Sequence, residues 1–163
     1  MKRALFHDDA SPRLAIGLMS GTSADGIDAA LVEISGCSTD TRVRLLSFLT
    51  LPFSDAARAR ILRVAAGDFG GTEEVCLVNF DLGELSADAC EAVCAQAGVA
   101  PDKVSFVGSH GQTVFHAPDA REYLGRPVRG TLQTGEASVA MQLKADLEYK
   151  KAFALSLFFK MLS

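Results

Sequence analysis

The residues best equipped for chemistry lie in one short stretch. Ser20 to Asp28 reads SGTSADGID, and it separates two apolar runs, Leu14–Met19 and Ala29–Ile34. Apolar runs of this length bounded by turn residues read as buried strands. The segment is therefore strand, polar turn, strand, most simply a hairpin. Its turn has the composition of a phosphate cradle. Gly21 and Gly26 allow close backbone approach to an anion, and hydroxyls with successive backbone N–H groups can donate to phosphate oxygens. Asp25 and Asp28 beside three hydroxyls suit a magnesium nucleotide. The G-x-x-x-x-G spacing has no following Lys and is no Walker loop, and no G-x-G-x-x-G occurs. A purely structural hairpin stays open on composition alone.

A second polar constellation is GSHGQTVFHAP, residues 108–118. Ser109, His110, Gln112, Thr113 and His116 are expected just past the end of a strand, where open α/β sheets place ligands. Amides, hydroxyls and an imidazole are what a sugar site requires. A polar loop with His110 bonded to backbone competes with that reading. A histidine metal pair has no third ligand nearby. A serine hydrolase built on Ser109 or Ser20 lacks the G-x-S-x-G elbow, and adjacent Ser109 and His110 point apart in extended chain.

The elements that must position these residues follow from periodicity. Val43–Leu51, ended by Pro52, is a third strand and completes an antiparallel meander. Ser54 caps a helix running to Ala66, with Asp55 in its first turn. Gly67 to Gly71 breaks it. Thr72 is expected to cap the next helix, with Glu73 and Glu74 favoured by the helix dipole. Val78, Leu82, Leu85, Ala89 and Val93 form its core stripe, and Gly98 ends it. Gly83 within it costs about 1 kcal/mol against Ala. Val104–Gly108 is a fourth strand, and its return after helices predicts a parallel pairing. Asp119–Gly130 is expected to be a loop or short hairpin. TLQTGEASVA is expected to give a short strand, a turn at Gly135 and a helix from Glu136.

Composition bounds the rest. The chain has 163 residues, 48% apolar, with a net charge of −4. That length supports one domain with a real core. The basic excess typical of nucleic-acid binding is missing. No run reaches the length of a membrane span, and no signal h-region develops, so neither nucleic acid nor membrane is an expected partner. Cys37, Cys76, Cys90 and Cys94 have no zinc-type spacing, and read as reduced thiols in a cytoplasmic protein.

GLMSGTSADGID resembles the N-terminal signature of the anhydro-N-acetylmuramic acid kinases, in the sugar-kinase and actin superfamily. That family also carries a segment similar to Ser109–His116, SHGQTVFH, followed by one like LQIGEP. Here Leu132, Gln133, Thr134, Gly135, Glu136 and Ala137 stand at that place. The resemblance implies an α/β, ribonuclease-H-like (actin-like ATPase) N-terminal domain, with a three-stranded antiparallel meander extended by parallel strands and helices packed on the sheet. It implies conversion of 1,6-anhydro-N-acetylmuramic acid and ATP into N-acetylmuramic acid 6-phosphate in cell-wall recycling. The anhydro ring is hydrolysed and O6 phosphorylated.

By resemblance, Gly21, Thr22, Ser23, Ala24, Asp25, Gly26, Ile27 and Asp28 bind the nucleotide phosphates, and Asp25 or Asp28 holds Mg2+ through water. The superfamily usually has an acid two residues before the loop glycine. Met19 stands there instead, so the metal must be served differently. His110, Gln112, Thr113, Gln133 and Glu136 fall near the sugar or support its site.

Coverage runs from about Ala15 to about Val139. Residues 1–13 are expected to be a flexible leader and 14–139 an incomplete first kinase domain. Residues 140–163 are expected to form a divergent helical tail, whose apolar face invites self-association, a homodimer included. The family's DFR-x-x-D-x-A-x-GGQGAPL segment, with its general base, has no counterpart in the tail. A truncated member lacking the second domain is the expected explanation, inactive by itself. A non-catalytic sugar- or nucleotide-binding fragment is the alternative.

Overall fold

The computed structural model describes residues 11–68 and 70–135. Five strands and two long helices follow one another as β1 (Arg13–Ser20), β2 (Gly26–Ser35), β3 (Arg42–Pro52), α1 (Asp55–Ala65), α2 (Thr72–Ala97), β4 (Val104–Tyr123) and β5 (Arg126–Thr134). They make one sheet in the order β3-β2-β1-β4-β5. β1 pairs antiparallel with β2 and parallel with β4, while β3 and β5 add antiparallel edges. This mixed α/β sheet agrees with the expected class, that of an actin-like ATPase N-terminal domain.

Alternation decides which side of the sheet is covered. Leu18 faces Ala29 across β1 and β2, and Ile16 faces Leu31. All four are buried, in one cluster with Ile61 and Val64 of α1 and with Val78, Leu82, Ala89 and Val93 of α2. The predicted stripe on α2 is therefore core packing, with Leu85 partly buried beside it. The opposite side of the sheet lines up Met19, Asp28 and Thr50 across three adjacent strands.

The local signals explain the helix ends. The Ala57 N–H donates to the Ser54 hydroxyl at 3.2 Å, so Ser54 caps α1 as its sequence implies. Gly98 ends α2 in the left-handed region, φ 65°. Thr72 is not the cap of α2. Gly71 holds that position with φ 106°, a backbone conformation open to glycine, and no side chain caps the helix there.

The fourth strand departs most from expectation. It does not stop at Gly108 but runs for 20 residues, so residues 108–118 lie within a strand rather than in a loop beyond one. Asp119–Gly130 belongs to a long hairpin arm turning at Leu124 and Gly125, both at positive φ. β5 begins at Arg126, earlier than the short strand expected near Thr131. Glu136 with its expected helix, the tail from 140 to 163, and the leader as far as residue 10 lie outside the described residues.

Candidate functional site

The turn after β1 is held at several points. The Ala24 N–H donates to the Gly21 carbonyl at 3.1 Å, and the Phe53 N–H to the Asp25 carbonyl at 3.0 Å. Ala24 and Ile27 point into the core, 0% and 3% exposed. Anchoring by these two side chains leaves Gly21, Thr22, Ser23 and Asp25 on the surface. Ala24 takes a left-handed φ of 50°, which its small side chain makes tolerable. Gly26 has no room for a side chain, because a Cβ would collide with the Leu51 carbonyl oxygen. The bend thus leaves Thr22 and Ser23 facing solvent, while Ala24, between them and Asp25, is buried.

The β3–α1 junction lies beside this turn. Arg58, in the first turns of α1, donates to the Ser23 carbonyl at 3.4 Å and stands 3.8 Å from an Asp25 carboxylate oxygen. Both side chains are largely exposed, so the pair adds little to stability. Its consequence is a guanidinium at the edge of the turn. The Asp28 carboxylate accepts a hydrogen bond from the Thr50 hydroxyl at 2.5 Å, on the side of the sheet opposite Ile16 and Leu18.

A bulge brings the second constellation to the first. Between Leu18 and Ser20 of β1, β4 advances from Ser109 to Gln112, one residue more than its partner. Gly111 absorbs the extra residue at φ 72°, and a Cβ there would lie 2.7 Å from the Thr134 carbonyl oxygen. The shift sets Gln112 beside Ser20. The Ser20 hydroxyl lies 2.6 Å from Gln112 Oε1 and 2.8 Å from the Gly26 carbonyl oxygen, sharing its one proton between them. Gln112 Nε2 donates to the carbonyls of Gly21 at 2.8 Å and Thr113 at 3.1 Å. Two carbonyls on one side and a hydroxyl on the other fix the orientation of this amide.

His110 and Gln133 also meet. The Gln133 amide nitrogen is 2.8 Å from His110 Nε2 and 3.1 Å from Nδ1, and Thr113 faces Gln133 across the β4–β5 pair. All three are half-buried. His116 does not join them. It is exposed further along the arm, with Nδ1 2.7 Å from the Thr131 hydroxyl. The Gly135 N–H donates to the Asn79 side chain at 2.8 Å, which fixes the end of β5 to α2.

Motif reading missed Arg58 and Thr50 because both reach the turn only through β-pairing and the β3–α1 junction. Ser20 was visible in the signature, but its only individual reading was as a hydrolase nucleophile, not as a residue that positions the turn. Among the described residues, no group of three or more His, Cys, Asp or Glu could hold a metal ion. A closed protein cage for a cation is thus missing there. The other kind of site, in which Mg2+ keeps waters and shares phosphate oxygens, needs only one or two carboxylates. Asp25 lies in the turn beside Arg58, and Asp28 lies in β2 beside Thr50. No helix among the described residues is long and apolar enough to cross a membrane.

The fold is that of an actin-like ATPase N-terminal domain, with a glycine- and hydroxyl-bearing turn between its first two strands. A family profile described as anhydro-N-acetylmuramic acid kinase matches residues 13–146, and the chain belongs to that family. An anhydro-N-acetylmuramic acid kinase of Caldanaerobacter subterraneus subsp. tengcongensis is 45% identical over 139 residues, covering 85% of this chain and 35% of its own length. One from Bacillus cereus is 39% identical over 123 residues, with 76% and 31% covered. The chain thus spans about a third of the length of these curated relatives. Among solved structures, CasPhi-2 (Cas12j) bound to crRNA and phosphorothioate-DNA covers 84% of this chain and 23% of its own. Its TM-score of 0.22 and 13% identity carry no argument.

Proposed function

We propose that this chain supplies the phosphate-gripping half of an ATP-dependent kinase that acts on 1,6-anhydro-N-acetylmuramic acid, opening the anhydro ring and phosphorylating O6. The product would be N-acetylmuramic acid 6-phosphate, made inside the cell from recycled wall sugar. The observation that carries the reading is the open turn from Gly21 to Asp25. It is anchored from below by Ala24 and Ile27 and leaves Thr22 and Ser23 exposed. Phosphoryl transfer asks mainly for positioning and charge neutralisation. Thr22 and Ser23 offer donors to phosphate oxygens, and Arg58 brings a positive charge to the same edge.

Asp25 and Asp28 would hold Mg2+ through water, and the ion would neutralise charge on the phosphates. The pairing of the strands supports Asp28 in this part. It is the direct cross-strand neighbour of Met19, the position where the superfamily usually has its acid. Cross-strand neighbours share a face about 5 Å apart. The Asp28 carboxylate therefore lies on that surface, one strand over. On the acceptor side, His110, Thr113 and Gln133 would meet the sugar, with Glu136 following them in sequence and Gln112 behind them as support.

Assayed by themselves, these 163 residues are expected to bind magnesium-ATP weakly and to show no turnover. Calorimetric titration with magnesium-ATP, alongside an ADP-release assay with the anhydro sugar, tests both parts. No saturable nucleotide binding would remove the phosphate reading. Sugar-dependent ADP release would show that the chain is a complete catalyst. Sugar binding without nucleotide binding would favour the second reading, a non-catalytic sugar-binding fragment.

A further inference from the structure

We propose that Ser20 and Gln112 form a latch that presets the Gly21–Asp25 turn, and that both act as positioning residues. The proposal deepens the reading of that turn as a phosphate grip and rests on it for its functional consequence. Ser20 is 5% exposed and Gln112 is 2% exposed, so neither presents its polar group to a ligand in solution. Both amide hydrogens of Gln112 go to backbone carbonyls, Gly21 and Thr113, and its oxygen faces the Ser20 hydroxyl. The Ser20 proton is shared between that oxygen and the Gly26 carbonyl. Two side chains thus hold the carbonyls at the two ends of the turn, Gly21 and Gly26, toward the interior.

The peptide bond converts this into an orientation for ligand donors. In a trans peptide the N–H of one residue points opposite to the carbonyl of the residue before it. Holding the Gly21 carbonyl inward aims the Thr22 N–H outward, where an anion can reach it. A turn already held this way loses less conformational freedom when phosphate arrives. The latch has a second consequence. The same amide binds Gly21 on the phosphate side and Thr113 on the side assigned to sugar. One buried side chain therefore fixes the spacing of the two half-sites, and phosphoryl transfer is sensitive to such spacing.

The experiment measures backbone 15N relaxation on the 163-residue chain, with magnesium-ATP titrations in parallel. Gln112→Met keeps the length of the side chain and removes its hydrogen bonds. Ser20→Ala removes only a hydroxyl and serves if Gln112→Met fails to fold. Ser20→Thr restores the hydroxyl. In the wild type, order parameters of Thr22–Asp25 are expected near about 0.85, and in Gln112→Met and Ser20→Ala below about 0.6. Those of α2 are expected to stay unchanged. Magnesium-ATP affinity is expected to fall about five- to tenfold in both variants and to recover in Ser20→Thr. Unchanged order in the turn of the folded variants overturns the latch, whatever happens to affinity. Loss of order spread evenly over the sheet and α2 also overturns it, since that marks general destabilisation. Absence of nucleotide binding in the wild type would instead remove the phosphate reading, while the order parameters still decide the latch.

Discussion

Gly26 stands where the turn re-enters the sheet, and its hydrogen is a structural requirement. A Cβ built there collides with the Leu51 carbonyl oxygen and lies 2.9 Å from Pro52 Cα. Both obstacles are backbone of the neighbouring strand, so no side-chain rotation relieves them. Gly26→Ala must push β2 and β3 apart at the end that carries the Phe53–Asp25 hydrogen bond. Overpacking of this kind costs about 1–3 kcal/mol. Urea denaturation is expected to show that loss as a lower midpoint with an unchanged slope, since the surface exposed on unfolding is the same. A glycine in a polar motif invites the reading that it admits a ligand. At Gly26 the neighbour it admits is β3. Gly21 differs, because its nearest new contact would be the Ser23 hydroxyl at 3.8 Å.

Among the elements, α1 ties the turn to the rest of the domain through its first residues. Ser54 accepts from the Ala57 N–H, and Arg58 one turn later reaches the Ser23 carbonyl. Ser54→Ala removes the cap and is expected to cost about 1 kcal/mol. For a chain of this size that lowers the melting temperature by about 2–4 °C, readable by circular dichroism. The cap was legible because a serine before an acid and an apolar spacing is a local signal. The first three strands were legible for the same reason, and each begins and ends within a few residues of its apolar run. β4 was not. Gly108, Gly111 and Pro118 break its apolar pattern, and local rules end a strand at such residues. The strand continues because β5 pairs with it for most of the remaining length, through two register shifts that absorb the irregular positions. That partner arrives later in the sequence, so no window around Gly108 contains the reason. The cap at Gly71 was missed on a smaller scale. Threonine is a good N-cap by type, yet the glycine before it took the unusual backbone angle. The candidate site was half legible for a related cause. Its two motifs could be read, but the Ser20–Gln112 bond joins residues 92 apart in sequence.

At the scale of the whole molecule, the cluster between sheet and α2 contains a titratable group. Cys90 is 9% exposed and belongs to the core with Val93 and Cys94. Its thiol is pushed from 9.0 up to about 12, first by burial, then by Cys94 and Glu91 nearby. The folded state therefore holds the proton more tightly than the unfolded chain does. Below about pH 9 both states are protonated and the difference contributes its full stabilisation. Above that, the unfolded chain gives up its proton while the native core retains it. Stability then falls with rising pH until the folded thiol itself ionises near 12. The slope from this one group is at most about 1.4 kcal/mol per pH unit. Isolating this one thiol needs a reference that lacks it. Cys90→Ala supplies it. The variant starts less stable because a buried sulfur is lost from the core. The stability gap between wild type and variant, from urea denaturation at several pH values, is expected to be constant up to about pH 9 and to narrow above it. A gap that stays constant to pH 11 would mean that the thiol is less enclosed than its place between α2 and the sheet implies. The same enclosure predicts that a thiol reagent at neutral pH labels exposed Cys37 and Cys76 quickly and reaches Cys90 only at the rate at which the core opens.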